Sequence, residues 1–447
     1  VLETRNLDFT HLLLLSCSEG NMPKGVNDAS FIPYAVRQAY GLTTVDHKVA
    51  IYAYYFYRML QRATDVTILS STVKDTGTPS ERSRFITQLM VESGIAMHHT
   101  SLNARHKSSP AKDASSIAKT PEIMGALRDM NYLSPTAINR YLKCPLKFYY
   151  KNIGHIDEYN DDEQVEIDNR TFGLVFHAAA ENIYKTIAPD GKVTVKAIEL
   201  FVKNEHNIER AVDEAFAYEI FKERSNNFRP EYNGLQLINR AVIKGYIKSL
   251  LLLDKDMAPF TICGEELMVT TDFTISNETG VGERNISIKV GGTIDRLDIV
   301  KDKETGGQTI RVVDYKTGVY HAPTNAQQIK SVDEIFYIGD KQKPHSDYYL
   351  QTMLYSLIIS KSTLYNPDSM PVSPSLLYIQ HAHNSDYDPI IEIDSKRIVD
   401  IETYRDDFEQ NIARVIAEIY NPEIAFYPTS SKRQCKYCPY KDLCNMG

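Results

Sequence analysis

A carboxylate and an amine lie two residues apart at the end of an apolar run in this sequence. The segment reads Val312-Val313-Asp314-Tyr315-Lys316, and its β-branched residues predict the start of a buried strand. Residues two apart on a strand project from the same face, so Asp314 and Lys316 share one space. A carboxylate is a hard ligand for Mg²⁺, and a neighbouring amine can orient or deprotonate water or stabilise charge on a phosphate. The alternative is a simple ion pair at a strand end.

A second carboxylate lies on the strand that is predicted to precede this one. Residues 291–298 read GGTIDRLD, and Asp295 is expected at the same end of the hairpin. Asp298, three residues further on, is expected to face the other side of the sheet, so Asp295 is the better ligand candidate. Two acids and one lysine are costly to bring together without a cation, and this favours a metal site.

Four of the six cysteines have the number and spacing of a metal-cluster site. Cys435, Cys438 and Cys444 form a C-x2-C-x5-C trio, while Cys144 lies far upstream. With no secretion signal expected, such a set indicates a metal or iron–sulfur centre rather than a disulfide framework. Four thiolates can hold either a 4Fe-4S cluster or a tetrahedral zinc ion.

The elements that must position these residues are predicted from hydrophobic periodicity and turn residues. Ser134 and Pro135 are predicted to start a helix whose apolar positions continue to Tyr149. Strands are predicted at 261–274, 286–300, 309–315 and 375–381. A further helix is predicted at about 172–187, and a helical pattern continues from there to about residue 253. Two more helices are predicted near 347–360 and at about 396–419. This order predicts an α/β fold with a mixed sheet flanked by helices.

The front of the chain follows a separate α/β pattern. It alternates strand-like runs at 12–15 and 66–69 with a helical stretch at 47–61. Residues 101–121 are rich in Ser, Ala and Lys and contain few large apolar side chains, so a domain boundary is placed there. The predicted organisation is an α/β segment, a basic flexible linker and a main domain, at 1–100, 101–130 and 131–447.

Composition limits the class of protein. Hydrophobic residues make up 43% and charged residues 24%, with 29 Tyr, 16 Phe and no Trp, which is typical of a folded protein. No run approaches the roughly 20 apolar residues that span a bilayer, so a cytoplasmic location is expected. The net charge is -8, yet residues 101–151 hold nine Lys or Arg against three acids. Cys17 and Cys263 lie in apolar stretches and are predicted to be buried thiols.

The two acids and the lysine resemble the site of the PD-(D/E)XK nuclease superfamily, in particular its RecB and AddB type. That type carries one acid in a G-x-I-D-R-x-D strand and the other in a D-Y-K strand. The resemblance implies that Asp295 and Asp314 bind Mg²⁺ or Mn²⁺, that Lys316 is the catalytic lysine, and that the carbonyl of Tyr315 also contacts the metal. A G-x-x-x-H helix motif is matched by the segment ending at His177, which the resemblance makes a further metal ligand.

A Q-x-x-x-Y motif that this type of nuclease carries on a later helix is matched by Gln351 and Tyr355. The i, i+4 spacing places the amide and the phenol on one helix face, and the resemblance implies that they contact DNA beside the metal. The alternative is an ordinary amphipathic helix, because Leu350, Leu354 and Leu357 already supply a core-facing stripe.

The cysteine layout is similar to the iron–sulfur staple of AddB-type nucleases, which clamps the two ends of the nuclease domain together. The resemblance therefore implies a 4Fe-4S cluster, with zinc as the alternative. The implied ligands are Cys144, Cys435, Cys438 and Cys444.

The first hundred residues resemble the closing part of an AddB-type superfamily 1 helicase. Residues 57–63, YRMLQRA, are similar to the last helicase motif, although Gln61 replaces the usual threonine. The arginine of that motif, here Arg62, senses the γ-phosphate of the nucleotide in a complete motor. The sequence contains no G-x-x-x-x-G-K-[ST] loop, so the phosphate cradle is missing. Either the motor half lies upstream of Val1, or this segment is scaffold only.

Together these features predict a Mg²⁺-dependent DNA exonuclease that forms part of a helicase–nuclease for double-strand break processing and recombinational repair. The expected partners are single-stranded DNA or DNA ends and an AddA-like subunit, with no membrane. One alternative is a non-catalytic DNA-end-binding scaffold, which requires an incomplete metal site. Another is a different iron–sulfur PD-(D/E)XK exonuclease, such as a CRISPR adaptation nuclease, which lacks the helicase-like front.

Overall fold

The computed structural model places the chain in two units, Val1–Lys107 and Ser108–Gly447. The residues that the structure describes are 7–24, 31–71, 80–100, 116–157, 167–223, 230–276, 285–302, 305–318, 327–382, 384, 387–441 and 443–444. Among these residues, no helix combines the length and the apolar character needed to cross a membrane.

The first unit contains two short parallel strands and the helices that connect and follow them. In chain order the elements are β1 His11–Leu14, α1 Tyr34–Ala39, α2 Val45–Leu60, β2 Asp65–Ile68 and α3 Arg84–Glu92. Parallel strands require a crossover, and α1 and α2 lie within it. Phe56, Met59 and Phe85 form the core with the buried thiol of Cys17. The predicted strands and the helix at 47–61 are confirmed to within two residues.

The second unit is built on a mixed sheet. The described strands are β3 Lys192–Val193, β4 Phe260–Ser276, β5 Asn285–Lys301, β6 Gln308–Lys316 and β7 Val372–Tyr378, and they lie in that order across the sheet. β3 to β6 pair antiparallel, whereas β6 and β7 run parallel. The three central strands match the predicted ones to within two residues. A separate pair, β8 Glu392–Ile393 and β9 Lys396–Arg397, follows.

Helices cover both faces of this sheet. In chain order they are α4 Pro121–Arg128, α5 Pro135–Lys143, α6 Pro145–Phe148, α7 Asn169–Ile187, α8 Val195–Lys203, α9 Glu205–Glu219, α10 Gly234–Met257, α11 Ser346–Ser360, α12 Arg405–Tyr420 and α13 Lys432–Lys436. One core packs α4 to α6, α11 and α12 against the sheet, and the other packs α7 to α10 against it. Along β6, Val312 enters the first core and Val313 the second, as the strand period requires.

A buried ion-pair network holds α10 against the centre of the sheet. Arg296 on β5 donates to both carboxylate oxygens of Asp254 on α10, at 2.5 and 3.1 Å, and its Nε lies 3.0 Å from Asp298. Asp298 also accepts two hydrogen bonds from Arg311 on β6. The side chains of Arg296, Asp254 and Asp298 have no exposed surface, so each charge depends on its partners. Because Arg296 follows Asp295 directly on β5, this network also fixes the position of the Asp295 backbone.

Several sequence predictions about element boundaries are wrong. The helix predicted at 396–419 begins at Arg405, because residues 396–397 form β9 and a short 3₁₀ turn follows at Ile401–Tyr404. The strand predicted at 375–381 lies three residues earlier, at Val372–Tyr378. The first helix of the main domain does not run unbroken to Tyr149, because Cys144 is extended and Pro145 starts a new turn.

Two further predictions need correction. The predicted linker spans 101–130, of which 101–115 lie outside the described residues. Residues 121–128 form α4, whose Met124 and Leu127 are buried in the main core, so a flexible linker cannot extend to residue 130. Cys263 is exposed rather than buried, because it lies at the register shift between Ile262 and Gly264 on β4.

Candidate active site

Asp314 and Lys316 lie side by side at the end of β6, on the face covered by α11. Asp314 is buried, and its Oδ1 accepts a 2.8 Å hydrogen bond from Nε2 of Gln351. Its Oδ2 has no hydrogen bond of ordinary geometry and faces the Lys316 ammonium at 2.6 Å. The ammonium also lies 4.2 Å from the centre of the Tyr348 ring. The strand spacing therefore places both groups in one space, as expected.

Asp295 joins this pair from the neighbouring strand. The backbone N–H of Tyr315 donates a 2.7 Å hydrogen bond to Oδ2 of Asp295, at the point where β5 and β6 separate. The other carboxylate oxygen faces the imidazole of His177 at 3.5 Å. Asp298 instead lies within the buried arginine network described above, away from these groups.

His177 reaches the site from α7, on the opposite face of the sheet from α11. Asp168 caps the start of α7 by accepting a hydrogen bond from the N–H of Thr171. One turn before His177, Gly173 lies near Thr317, whose hydroxyl would be 3.7 Å from a β-carbon at that position, an ordinary contact that does not require glycine. The imidazole packs edge-on against the Tyr315 ring, with ring centres 5.7 Å apart. The helix thus directs His177 at the carboxylate of Asp295.

Glu266 is a member of this group that sequence reasoning missed. Its Oε1 lies 3.4 Å from Nδ1 of His177, and ligand atoms of His177, Glu266 and Asp295 all lie within 4.8 Å of one another. On β4 it stands between the residues that pair with Ile294 and Arg296, so it lies across from Asp295. Its backbone φ is +46°, a conformation that costs energy for a residue other than glycine. In the sequence, the two adjacent glutamates at 265–266 in the preceding strand are the feature that could have indicated a further metal ligand.

Without a bound cation, the close carboxylates of this site repel one another, and this repulsion and burial shift the pKa values of the group. Burial raises the pKa of the Asp295 carboxyl to about 7, and the nearby Asp314 adds to this shift against the opposing effect of His177. Burial opposes the charged form of His177, but the carboxylates of Asp295 and Glu266 outweigh it and raise the pKa of His177 to about 9. The pKa of Lys316 is also raised, because Asp314 outweighs its burial. Lys316 is therefore an ammonium at neutral pH.

These residues fit a divalent cation. His177, Glu266 and Asp295 converge on one space, and Asp314, which is not one of that group of three, adds a buried carboxylate whose Oδ2 faces the Lys316 ammonium. Carboxylate oxygens with a single imidazole suit Mg²⁺ or Mn²⁺. A cation at this point would also remove the cost of placing two buried acids together. Contact of the Tyr315 carbonyl with a metal stays a prediction.

Gln351 and Tyr355 lie on the sheet-facing side of α11 rather than on an open surface. Gln351 holds Asp314, and Tyr355 is 5% exposed. The hydroxyl of Tyr355 packs against Gly292 of β5, where a β-carbon would lie too close to it and force a shift. In this structure the pair supports the acidic site, so direct contact with DNA stays a prediction.

The four cysteines predicted to bind a cluster are brought together around one cavity of about 190 Å³. They arrive from the break between α5 and α6 and from the C-terminal segment around α13. Burial raises the pKa of the Cys435 thiol, and the neighbouring Cys144 and Cys438 add to the shift. Among the described residues, no three of these sulfurs lie within 4.8 Å of one another.

Arg62 lies just after α2 in the first unit, where its guanidinium pairs with Asp8. Both side chains are about half exposed. A nucleotide-sensing role for Arg62 stays a prediction.

A mixed sheet that ends in buried acids and a lysine, faced by a histidine from a helix, has the arrangement of a nuclease. Residues 132–445 match the family model of the PD-(D/E)XK nuclease superfamily, so the chain belongs to that superfamily. Its members are generally nucleases and usually use divalent metals. No curated protein matches the chain.

Proposed function

We propose that this protein is a Mg²⁺- or Mn²⁺-dependent deoxyribonuclease that degrades DNA from single-stranded ends. The observation that carries the proposal is the convergence of Asp295, in the middle of β5, with Asp314 and Lys316 at the end of β6, in a chain of the PD-(D/E)XK superfamily. An incomplete site would have favoured a DNA-binding scaffold instead. Here every charged group of the family motif is present and buried against its neighbours.

The residues of the site have different roles in phosphodiester hydrolysis. His177, Glu266, Asp295 and Asp314 would hold the cation. When bound, a divalent cation supplies Lewis-acid stabilisation of phosphate charge and lowers the pKa of nearby water. Lys316 is charged, so it stabilises negative charge that develops on the phosphate and orients the attacking water, rather than removing its proton.

Gln351 and Tyr315 act by positioning. The amide of Gln351 fixes one oxygen of Asp314 and leaves the other directed into the site. The backbone N–H of Tyr315 does the same for Asp295. Holding each carboxylate by one oxygen limits its rotation and preserves its ligand geometry.

Replacing Glu266 by Gln should weaken Mn²⁺ binding at least about 10-fold, because a charged ligand oxygen is lost while the side-chain size is kept. Isothermal titration of Mn²⁺ into the DNA-free protein measures this. Asp272→Asn is the matched control, since Asp272 is an exposed acid on β4, six residues or about 20 Å from Glu266. Equal Mn²⁺ affinity in wild type and Glu266→Gln would remove Glu266 from the site.

We further propose that the four-cysteine cavity holds a 4Fe-4S cluster. One observation supports it: cysteines from both ends of the nuclease region line one cavity, which suits a cluster held by four thiolates. Such a cluster would tie the α5–α6 break to the C-terminal segment.

The AddB-type assignment rests on the motifs of residues 1–100 and on the cysteine layout. On this proposal the chain works with an AddA-like subunit on DNA ends during double-strand break repair. A CRISPR adaptation nuclease with the same cysteine layout is the second candidate, and the helicase-like front argues against it.

We expect no DNA-stimulated ATP hydrolysis by the 447-residue chain. A γ-phosphate sensor such as Arg62 can act only on a nucleotide that a phosphate loop, lysine and Mg²⁺-binding hydroxyl already hold, and no such loop occurs in the sequence. Phosphate release in the presence of single-stranded DNA measures the activity. ATPase that disappears in Arg62→Ala would show that an unrecognised nucleotide site is present.

The proposed nuclease function is tested with an end-labelled single-stranded oligonucleotide in Mg²⁺. Progressive shortening from an end is expected. Tight binding of the oligonucleotide without any product would favour the scaffold alternative instead.

A further inference from the structure

A cavity of about 370 Å³ lies beside the β7 edge of the main sheet, and the proposed metal ligands do not line it. We call it the aromatic cavity, because five rings contribute to its wall. These are His345, Tyr349, Tyr378, His381 and Tyr387. Its volume lies within the range of about 300–1,000 Å³ that is common for sites binding small organic groups.

The aromatic cavity begins next to the catalytic lysine. Tyr378 is the pairing partner of Lys316 across β6 and β7, and the two residues lie on the same face of the sheet as Val312. Tyr348, whose ring supports the Lys316 ammonium, lies 5.5 Å from the His345 ring, centre to centre. His345 in turn lies 6.2 Å from Tyr378. A chain of aromatic contacts therefore leads from the lysine to the cavity.

The residues that line the aromatic cavity do not favour binding of a phosphate group. Among the described lining residues there is no lysine or arginine, while Glu392 is an acid and Asp388 is an acid whose carboxylate pairs with Arg397 beside the cavity. Gln328 adds an amide group that can donate and accept hydrogen bonds. Rings, amides and acids suit a flat, neutral heterocycle with polar edges. A nucleobase has these properties, and aromatic stacking accepts any base.

We propose that the aromatic cavity binds the base of an unpaired nucleotide beside the scissile phosphate. The inference rests on the proposed nuclease function and names its substrate as a single strand. A paired base cannot enter, because its complement would have to enter with it. Phosphates would lie at the charged metal site, while a base of the same strand stacks in the cavity. A duplex end must then be opened before it is cut.

The test uses a short single-stranded oligonucleotide that carries the fluorescent base 2-aminopurine near its end, in EDTA so that no cleavage occurs. Wild-type protein should bind it and quench the base, since stacking on a ring quenches its emission. Tyr349→Leu removes a ring from the wall and should bind about 10-fold more weakly, with less quenching. Tyr349→Phe is the matched control, because it keeps the ring and removes the hydroxyl, which donates to the Glu392 carbonyl.

His381→Ala is a second variant in the same wall, and circular dichroism checks that each variant is folded. A blunt duplex should bind wild type and Tyr349→Leu equally. If neither Tyr349→Leu nor His381→Ala changes affinity or quenching on the single strand, the proposal is wrong. It is also wrong if Tyr349→Leu weakens binding of the duplex as much as binding of the single strand.

Failure of this proposal can be told apart from failure of the nuclease function. Binding with quenching, but no cleavage in Mg²⁺, would support the cavity and overturn the function. Cleavage in Mg²⁺ with unaltered binding by both variants would support the function and overturn the cavity.

Discussion

Replacing Asp314 by Asn should reduce the rate of DNA cleavage at least about 1,000-fold while leaving DNA binding nearly unchanged. The substitution keeps the shape of the side chain and the oxygen that accepts from Gln351. It removes the charge of a buried carboxylate whose Oδ2 faces the Lys316 ammonium. Affinity for DNA comes mainly from many backbone phosphate contacts, so it should persist. Initial rates on an end-labelled single strand in Mg²⁺ measure the effect.

Asp272→Asn is again the matched control, since it removes an exposed acid from the same sheet and should cleave at the wild-type rate. Asp295→Asn and Lys316→Met should lose activity as severely as Asp314→Asn, because the three groups act on one phosphate. An Asp314→Asn protein that is folded and cleaves within a few-fold of wild type would exclude the proposed site.

Replacing Cys435 by Ala should remove iron and acid-labile sulfide and lower the free energy of unfolding by at least about 3 kcal/mol. The loss is large because a cluster held by Cys144 and Cys435 closes a long loop of chain in the folded protein. Iron and sulfide analysis of anaerobically purified protein, together with thermal unfolding, measures both effects.

Cys263→Ala is the matched control, because Cys263 is an exposed thiol outside the cavity. It should keep the iron content and melting temperature of wild type. A colourless wild-type protein with one zinc per chain would show that the metal of the cavity is zinc. Unchanged melting of Cys435→Ala would show that the four thiols have no shared structural role.

The parts of the site that follow from local pattern could be predicted from the sequence. Asp314 and Lys316 share a face because strands alternate with period two, and Asp295 meets them because a short turn joins its strand to theirs. Ser134 and Pro135 start α5 as expected, and Ser134 caps it by accepting from the N–H of Ala137.

Other features depend on long-range packing that no local pattern carries. Glu266 enters the site only because the register of β4 shifts near Gly264 and sets it across from Asp295. The same shift leaves Cys263 exposed in an otherwise apolar stretch. The i, i+4 spacing of Gln351 and Tyr355 identifies one helix face, but only packing shows that this face meets Asp314 and Gly292.

The boundary errors have a related cause. Apolar spacing from Ile138 to Tyr149 suits one helix, yet Pro145 disfavours helical backbone at Cys144 and forces a break. That break turns Cys144 towards the cavity that the three C-terminal cysteines also line. The predicted linker is too long because its composition is polar and Lys-rich only up to about residue 121, whereas α4 begins there and buries Met124 and Leu127.

The most direct test of the metal-dependent nuclease is the wild-type cleavage rate of an end-labelled single strand, measured in excess EDTA and after Mg²⁺ or Mn²⁺ is added. With EDTA the strand should stay intact, because the buried acids hold no cation to act on the phosphate. Addition of either metal in excess should start its degradation. Cleavage at the same rate in EDTA as in Mg²⁺ would contradict a catalytic metal at His177, Glu266, Asp295 and Asp314.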